Sequence, residues 1–333
     1  MAKTKQKMLM LEGIIVALVV VIAVLALYIL YPSIKLTVYG QPYGKRLTGI
    51  NTQLGSAQLA VINNASNSYF ERAGEMLLNL SIPNEQEHNG TYVAPLFEVS
   101  LYKPQQYNSL MINGKPSIIY IGATSCIYCG ENRWAMALAL SRFGSFNRLY
   151  TGYSSLGDGD VPTLYWSVQN TTTKSKIEYG NSYASNYVNF FSAEYDSPIT
   201  AGFEFPKSTN PIQFFVANSS NSSYKSAMGF MNSTRMFQGT PFTFWGTSLN
   251  LGADGVVFGN GTSQSSISST PPLTYMSHQQ LFELLKNFNS TFAYEEYAVA
   301  DVYVAETCSS INNSASVCSL PAIKAIEVKM GLQ

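Results

Sequence analysis

The sequence predicts an α/β protein with one membrane-spanning helix at its N-terminus, and three observations carry this expectation. The apolar run Ser117-Ile118-Ile119-Tyr120-Ile121 leads into Cys126-Ile127-Tyr128-Cys129, and helix-forming residues Glu131 to Leu140 follow. That order is strand, paired cysteines, helix. Much later, Thr240-Pro241 directly precedes the apolar stretch Phe242 to Trp245, with hairpin and helix signals after it. Near the start, a nearly continuous apolar segment runs from Gly13 to Tyr31.

The N-terminal segment sets the expected topology. At 1.5 Å per residue, residues 13–31 come close to spanning a hydrocarbon core of about 30 Å. Lys3, Lys5 and Lys7 precede it, and positive charge stays on the cytoplasmic side. A cleaved signal peptide would have a shorter apolar region and a small-x-small cleavage site, and Tyr28 to Ser33 offers none. The expected division is a basic cytoplasmic tail over residues 1–12, an anchor over 13–31, and a juxtamembrane spacer over 32–50. A main domain over 51–293 follows, with an insertion at about 150–235, and a C-terminal extension over 294–333. The expected location is the cell membrane, with a single pass, the N-terminus cytoplasmic and the C-terminal domain extracellular.

Composition agrees with an exterior setting. Charged residues make up 12% of the chain, about half the share usual in soluble domains. Asn-x-Ser/Thr sequons begin at Asn64, Asn79, Asn89, Asn170, Asn218, Asn221, Asn232, Asn260, Asn289 and Asn312. Ten is about twice what chance gives in such a chain, and N-linked glycans on a surface domain are the expected consequence. A surface poor in charge and rich in hydroxyls also suits acidic surroundings, where carboxylates lose their charge. Net charge is zero and no basic stripe stands out, so nucleic acid is not an expected partner. The roughly 300 residues after the anchor suffice for a sizeable core.

The elements follow in order. Residues 57–80 pattern as an amphipathic helix interrupted at Asn63-Asn64. Thr91 to Leu101 alternates as a strand, and Pro116 to Gly122 reads as a buried one. The helix after the cysteines is expected to stop near Phe143-Gly144. Thr163 to Val168 and Ile212 to Val216 read as strands, and Tyr183 to Phe191 as a weakly patterned helix. A hairpin is expected from Leu251 to Asn260. Ser277 to Phe288 is a helix that Ser277 caps with Gln280 three residues on.

Cys126 and Cys129 admit four readings. A zinc half-site needs two further ligands, and the chain has only His88, His278 and one other cysteine pair. A closed structural disulfide and two reduced core cysteines are the other non-reactive readings. The redox reading draws on the helix N-terminus, whose partial positive charge favours the thiolate that attacks a disulfide. On the same helix Trp134 reads as core packing and Arg133 as a solvated charge. Cys308 and Cys318 enclose a polar turn with a sequon, and a structural disulfide is the expectation. A loop this short stabilises by roughly 2–3 kcal/mol on the chain-entropy model. No metal or cofactor is expected, and no hydrolase or phosphate-binding constellation stands out.

With these residues in view, the chain resembles the thioredoxin superfamily. The separation between Cys129 and Pro241 suits its DsbA type, which carries a helical insertion. A closer resemblance is to archaeal membrane-anchored proteins of domain-of-unknown-function family 929. It rests on Cys126-Ile127-Tyr128-Cys129-Gly130-Glu131-Asn132-Arg133-Trp134-Ala135, Leu140-Ser141-Arg142-Phe143-Gly144, Thr240-Pro241 and the cysteine pair in the tail. The resemblance implies a thioredoxin-like fold with Cys126 attacking, Cys129 resolving, and Thr240 and Pro241 facing the substrate. One departure is that Ile127-Tyr128 stands where many DsbA-type sites have Pro-His. The implied function is thiol–disulfide exchange on secreted or cell-surface proteins. The alternative is a glycosylated envelope or interaction protein without turnover.

Overall fold

A computed structural model describes residues 49–80, 104–123, 126–153, 162–166, 177–179, 181–195, 222–234, 241–251 and 276–333. The central strand, β4 (Lys115–Ala123), is buried along nearly its whole length, as its unbroken apolar sequence requires. On one side it pairs in parallel with β10 (Asn189–Tyr195), Ser117 opposite Asn189 through Ala123 opposite Tyr195. On the other it pairs antiparallel with β11 (Phe242–Trp245), Phe242 opposite Ile121. β11 turns into β12 (Ser248–Leu251), which meets β2 (Gln105–Gln106), while β8 (Ile177–Tyr179) borders β10. With β3 (Met111–Ile112) beside β4, these form a seven-stranded mixed sheet. A three-stranded sheet holds β1 (Gly49–Gln53), β6 (Tyr150–Tyr153) and β7 (Pro162–Tyr165). A two-stranded one holds β5 (Gly144–Phe146) and β9 (Tyr183–Ser185).

Seven α-helices are described: α1 (Ser56–Asn63), α2 (Asn67–Leu80), α3 (Ile127–Leu140), α4 (Ser222–Thr234), α5 (His278–Leu285), α6 (Thr291–Ser310) and α7 (Pro321–Met330). The interruption expected at Asn63-Asn64 separates α1 from α2. Its cause is visible at Asn63, whose side chain donates to the Phe146 carbonyl and accepts from the Phe146 amide. The capping residues expected for α5 are also in place. Ser277 Oγ accepts from the Gln280 amide, and the Gln280 side chain reaches back to the Ser277 amide. α6 packs on α2, α3 and α7. Its Tyr303 stacks on Trp245 of β11 with ring centroids 4.6 Å apart. A disulfide joins Cys308 in α6 to Cys318 in a following 3-10 turn (Ser316–Ser319). The loop between turns through Asn312 and Asn313 at φ of 53° and 57°, a region Asn tolerates better than most residues.

Several expectations need correction. The thioredoxin-like fold class with a membrane-spanning helix gives way to a mixed α/β arrangement of three sheets. Among the described residues no helix is long and apolar enough to cross a membrane, and residues 13–31 lie outside them. The stretch Tyr183 to Phe191 is not helical but supplies β9 and the start of β10. Its weak helical pattern is overridden by pairing, because β10 is bonded along both edges to β4 and β8. The insertion expected to be helical contributes mainly strands where it is described, with α4 its one described α-helix. β11 pairs with Ser248–Leu251, and past Leu251 the hairpin expected to Asn260 lies outside the described residues. Residues 294–333 pack into the common core, and the division expected after residue 293 falls inside α6. The strands expected at Thr91 to Leu101 and Ile212 to Val216 lie outside the described residues.

The β11–β12 turn depends on Gly246. Its φ is 90°, and a Cβ there would lie 2.7 Å from Ser310 Cβ at the end of α6. Gly246→Ala should therefore combine backbone strain with a clash. We expect a loss of about 1–3 kcal/mol in stability, read as a lower urea midpoint with an unchanged m-value.

Candidate redox site at the end of the central strand

β4 ends at Ala123, and Cys126 is the N-cap of α3 with extended backbone geometry. Its sulfur accepts the Cys129 amide at 3.3 Å, so it satisfies a donor that the first turn leaves open. Cys126 is half-buried, whereas Cys129, one turn later, is fully buried. The two cysteines therefore differ in exposure, Cys126 being the more accessible residue.

Ala123 organises the pair. Its carbonyl accepts the Cys126 amide at 3.3 Å and Arg133 Nη2 at 3.0 Å. Its amide donates to Cys129 Sγ at 3.4 Å. One peptide group thus fixes the start of the helix, the Cys129 sulfur and a guanidinium two turns along. Burial pushes the Cys129 thiol well above its usual range, and hydrogen bonding with Cys126 adds to this. Arg133 and the Ala123 amide oppose the rise.

Beneath the cysteines lies a buried charged pair. Arg133 Nε donates to Glu194 Oε1, and both side chains are almost wholly excluded from solvent. Glu194 stands opposite Gly122 in the β4–β10 register. The Arg133 guanidinium also lies 4.4 Å from the Tyr165 ring centre. Tyr120, on β4, is fully buried, and its hydroxyl would sit 2.2 Å from a Cβ at residue 122. A side chain larger than hydrogen has no room at Gly122. Burial holds the Tyr120 hydroxyl protonated far above its ordinary range.

Arg133 is thus buried and paired, which corrects the sequence expectation of a solvated charge. Its partner, Glu194, was not legible as a site residue, since the pairing that brings it beside Arg133 is between strands far apart in sequence. Trp134 does pack in the core, and its indole N–H donates to the Pro162 carbonyl at 3.1 Å. Pro241 is buried at the start of β11. Because Phe242 faces Ile121, it enters the sheet at the end of β4 that carries the cysteines. Thr240 lies outside the described residues. Among the described residues no group of three or more His, Cys, Asp or Glu could hold a metal ion. Of the sequons, Asn64, Asn79, Asn289 and Asn312 are exposed. The Asn232 side chain is not described, and Asn89, Asn170, Asn218, Asn221 and Asn260 lie outside the described residues.

Residues 101–237 match the model of a family described as domain of unknown function, DUF929. The matched stretch contains β4, both cysteines, α3 and β10, so over it the chain is similar to that family. No curated protein and no solved structure matches the chain. The expected kinship with thioredoxins therefore has no solved relative behind it.

Removing one member of the buried pair should be costly. Arg133→Met leaves the Glu194 carboxylate buried without its cation, and the expected loss is about 3–5 kcal/mol. Replacing both partners, Arg133→Met with Glu194→Leu, should recover most of it. Urea unfolding of the single and double variants checks this, and a double variant no more stable than Arg133→Met would contradict the pairing.

Proposed function

We propose that this protein is a thiol–disulfide oxidoreductase acting on protein substrates through Cys126 and Cys129. One observation carries the reading. A half-buried cysteine caps a helix, and a second, fully buried cysteine one turn behind it donates its amide to the first sulfur at 3.3 Å. The helix N-terminus presents partial positive charge to Cys126, which suits a thiolate.

In the reducing direction the Cys126 thiolate attacks one sulfur of a substrate disulfide. A mixed disulfide forms and one substrate thiolate leaves. Cys129 then loses its proton and attacks Cys126 Sγ. The Cys126–Cys129 disulfide forms, and the second substrate thiolate leaves. The substrate gains two electrons and the dithiol loses two, and the reverse sequence oxidises a substrate dithiol. The raised pKa of Cys129 slows the second step at low pH, because only its thiolate attacks. Pro241, which enters β11 at the cysteine end of β4, marks the proposed place for an extended substrate segment.

The proposed setting is outside the cytoplasm. Support comes from the Cys308–Cys318 disulfide, since such bonds persist in oxidising compartments, and from the four exposed sequons. Those sequons also favour a second reading, a glycosylated envelope or interaction protein without turnover. The two readings part at the cysteines. Insulin reduction and oxidative refolding should both be catalysed by the full chain. Cys126→Ser should abolish activity, while Cys129→Ser should accumulate a mixed disulfide with substrate. For the wild-type chain, the lifetime of that intermediate should shorten as pH rises toward the titration of Cys129. No exchange at any pH between 4 and 9, with partner binding intact in the double Ser variant, would favour the second reading.

A further inference from the structure

Helix α6 turns its acids inward. Glu295 and Glu296 are 3% and 5% exposed, and Asp301 and Glu306 are fully buried. Neither oxygen of Asp301 has a hydrogen-bond partner among the described residues, nor does Glu295 Oε2. The space around Asp301 is tight. A Cβ at Gly74 of α2 would lie 3.1 Å from Asp301 Oδ2 and 2.7 Å from Ala322 Cβ of α7. Burying an ionised carboxylate in such a wedge costs several kcal/mol, and a buried acid avoids that by keeping its proton.

The neighbouring elements do not supply compensating cations. From α2, Glu71 faces Asp301 with like charge, and it accepts the Ala322 amide at 3.2 Å. Arg72 of α2 lies over the Phe288 ring, and Glu75 completes the charges of that helix. From α3, Glu131 faces Glu296, again with like charge. Arg133 is held by Glu194. Arg142 faces Tyr297, not a carboxylate, and bonds Asn67 and the Asn63 carbonyl. Tyr294 and Tyr297, on α6 itself, face Asp301 and are held protonated by burial. On α7, Lys324 lies near Glu327, and Lys329 is in the last turn. On α5, Glu283 pairs with Lys286 at the surface. β11 and the 3-10 turn present no titrating side chain. Among the described residues Glu295, Glu296 and Asp301 form no ion pair.

We propose that α6 is a proton-loaded clasp: the fold is held by neutral carboxyls on this helix and loosens as they lose their protons, so the protein is built for acidic surroundings. The direction follows from linkage. Burial raises Glu295 from 4.5 to about 8 and raises Asp301 and Glu296 well above the carboxyl range. The folded state then holds protons that the unfolded state releases, so stability falls as pH rises. It is at its fullest below the ordinary carboxyl range. For Glu295 it is lost between about 4.5 and about 8. The loosening bears on the dithiol helix, because Tyr303 of α6 donates to Asn132 of α3 and stacks on Trp245.

Urea unfolding of the full chain, followed through the buried Trp134, Trp166 and Trp245, tests this at pH 4, 6 and 8. The expected midpoint falls by about 1 M or more between pH 4 and pH 8. Glu295→Gln with Asp301→Asn, which mimics the protonated acids, should match wild type at pH 4 and exceed it at pH 8. Glu283→Gln, an exposed control, should keep the wild-type slope. A midpoint that is flat or rises with pH, or a double variant with the wild-type slope, overturns the proposal. Should the double variant not fold, carboxyl carbon NMR of the wild-type chain decides: side-chain carboxyls titrating above pH 6 support the clasp, and none doing so overturns it. Neither readout depends on thiol exchange.

Discussion

The buried ion pair between Arg133 and Glu194 ties the candidate site to the sheet. It joins the helix that starts at Cys126 to the strand that lies parallel to β4, with almost no water at either side chain. Two charges removed from water each cost several kcal/mol, and only close geometry with further hydrogen bonds offsets that. Here the guanidinium also bonds the Ala123 carbonyl and lies on Tyr165. The same Ala123 peptide holds the Cys126 amide and Cys129 Sγ. The position of Cys129 Sγ is thus tied to a buried charge pair.

That arrangement imposes unequal roles on two chemically identical side chains. Cys126 receives an amide at a helix start and has access to solvent. Cys129 is sealed, and burial favours its protonated form. An exchange reaction needs this asymmetry, because the first sulfur must meet a partner and the second must wait. The helix α6 reinforces the frame from behind through Tyr303, which bonds Asn132 and stacks on Trp245. The proton-loaded acids of α6 and the dithiol are therefore mechanically adjacent, although their chemistry is separate.

Much of the site was legible in the sequence, and the failures have physical causes. The run from Ser117 to Ile121 could only be a buried strand, and two cysteines between it and a helix had to share its end. Ser277 with Gln280 marked a helix start by capping chemistry alone. Asn63 showed where one helix yields to the next, although its bond to Phe146 was not foreseeable. Residues 183–191 misled because β10 is stabilised by pairing in parallel with β4, 72 positions earlier at Ser117 opposite Asn189, which no local pattern records. For the same reason Glu194 could not be paired with Arg133, 61 positions earlier. The inward acids of α6, Glu295, Glu296, Asp301 and Glu306, carry no sequence signal of their burial, which depends on the helices packed around them.

The central claim is that Cys126 and Cys129 form an exchangeable redox couple. The most direct measurement is equilibration of the full chain in glutathione buffers of graded potential, with the two thiol states separated after acid quenching and alkylation. An exchangeable couple should show one reversible two-electron transition, with a midpoint between about −270 and −120 mV, the span of exchange-active dithiols. A pair that stays in one state across the whole series, while the Cys308–Cys318 bond remains closed, would contradict it.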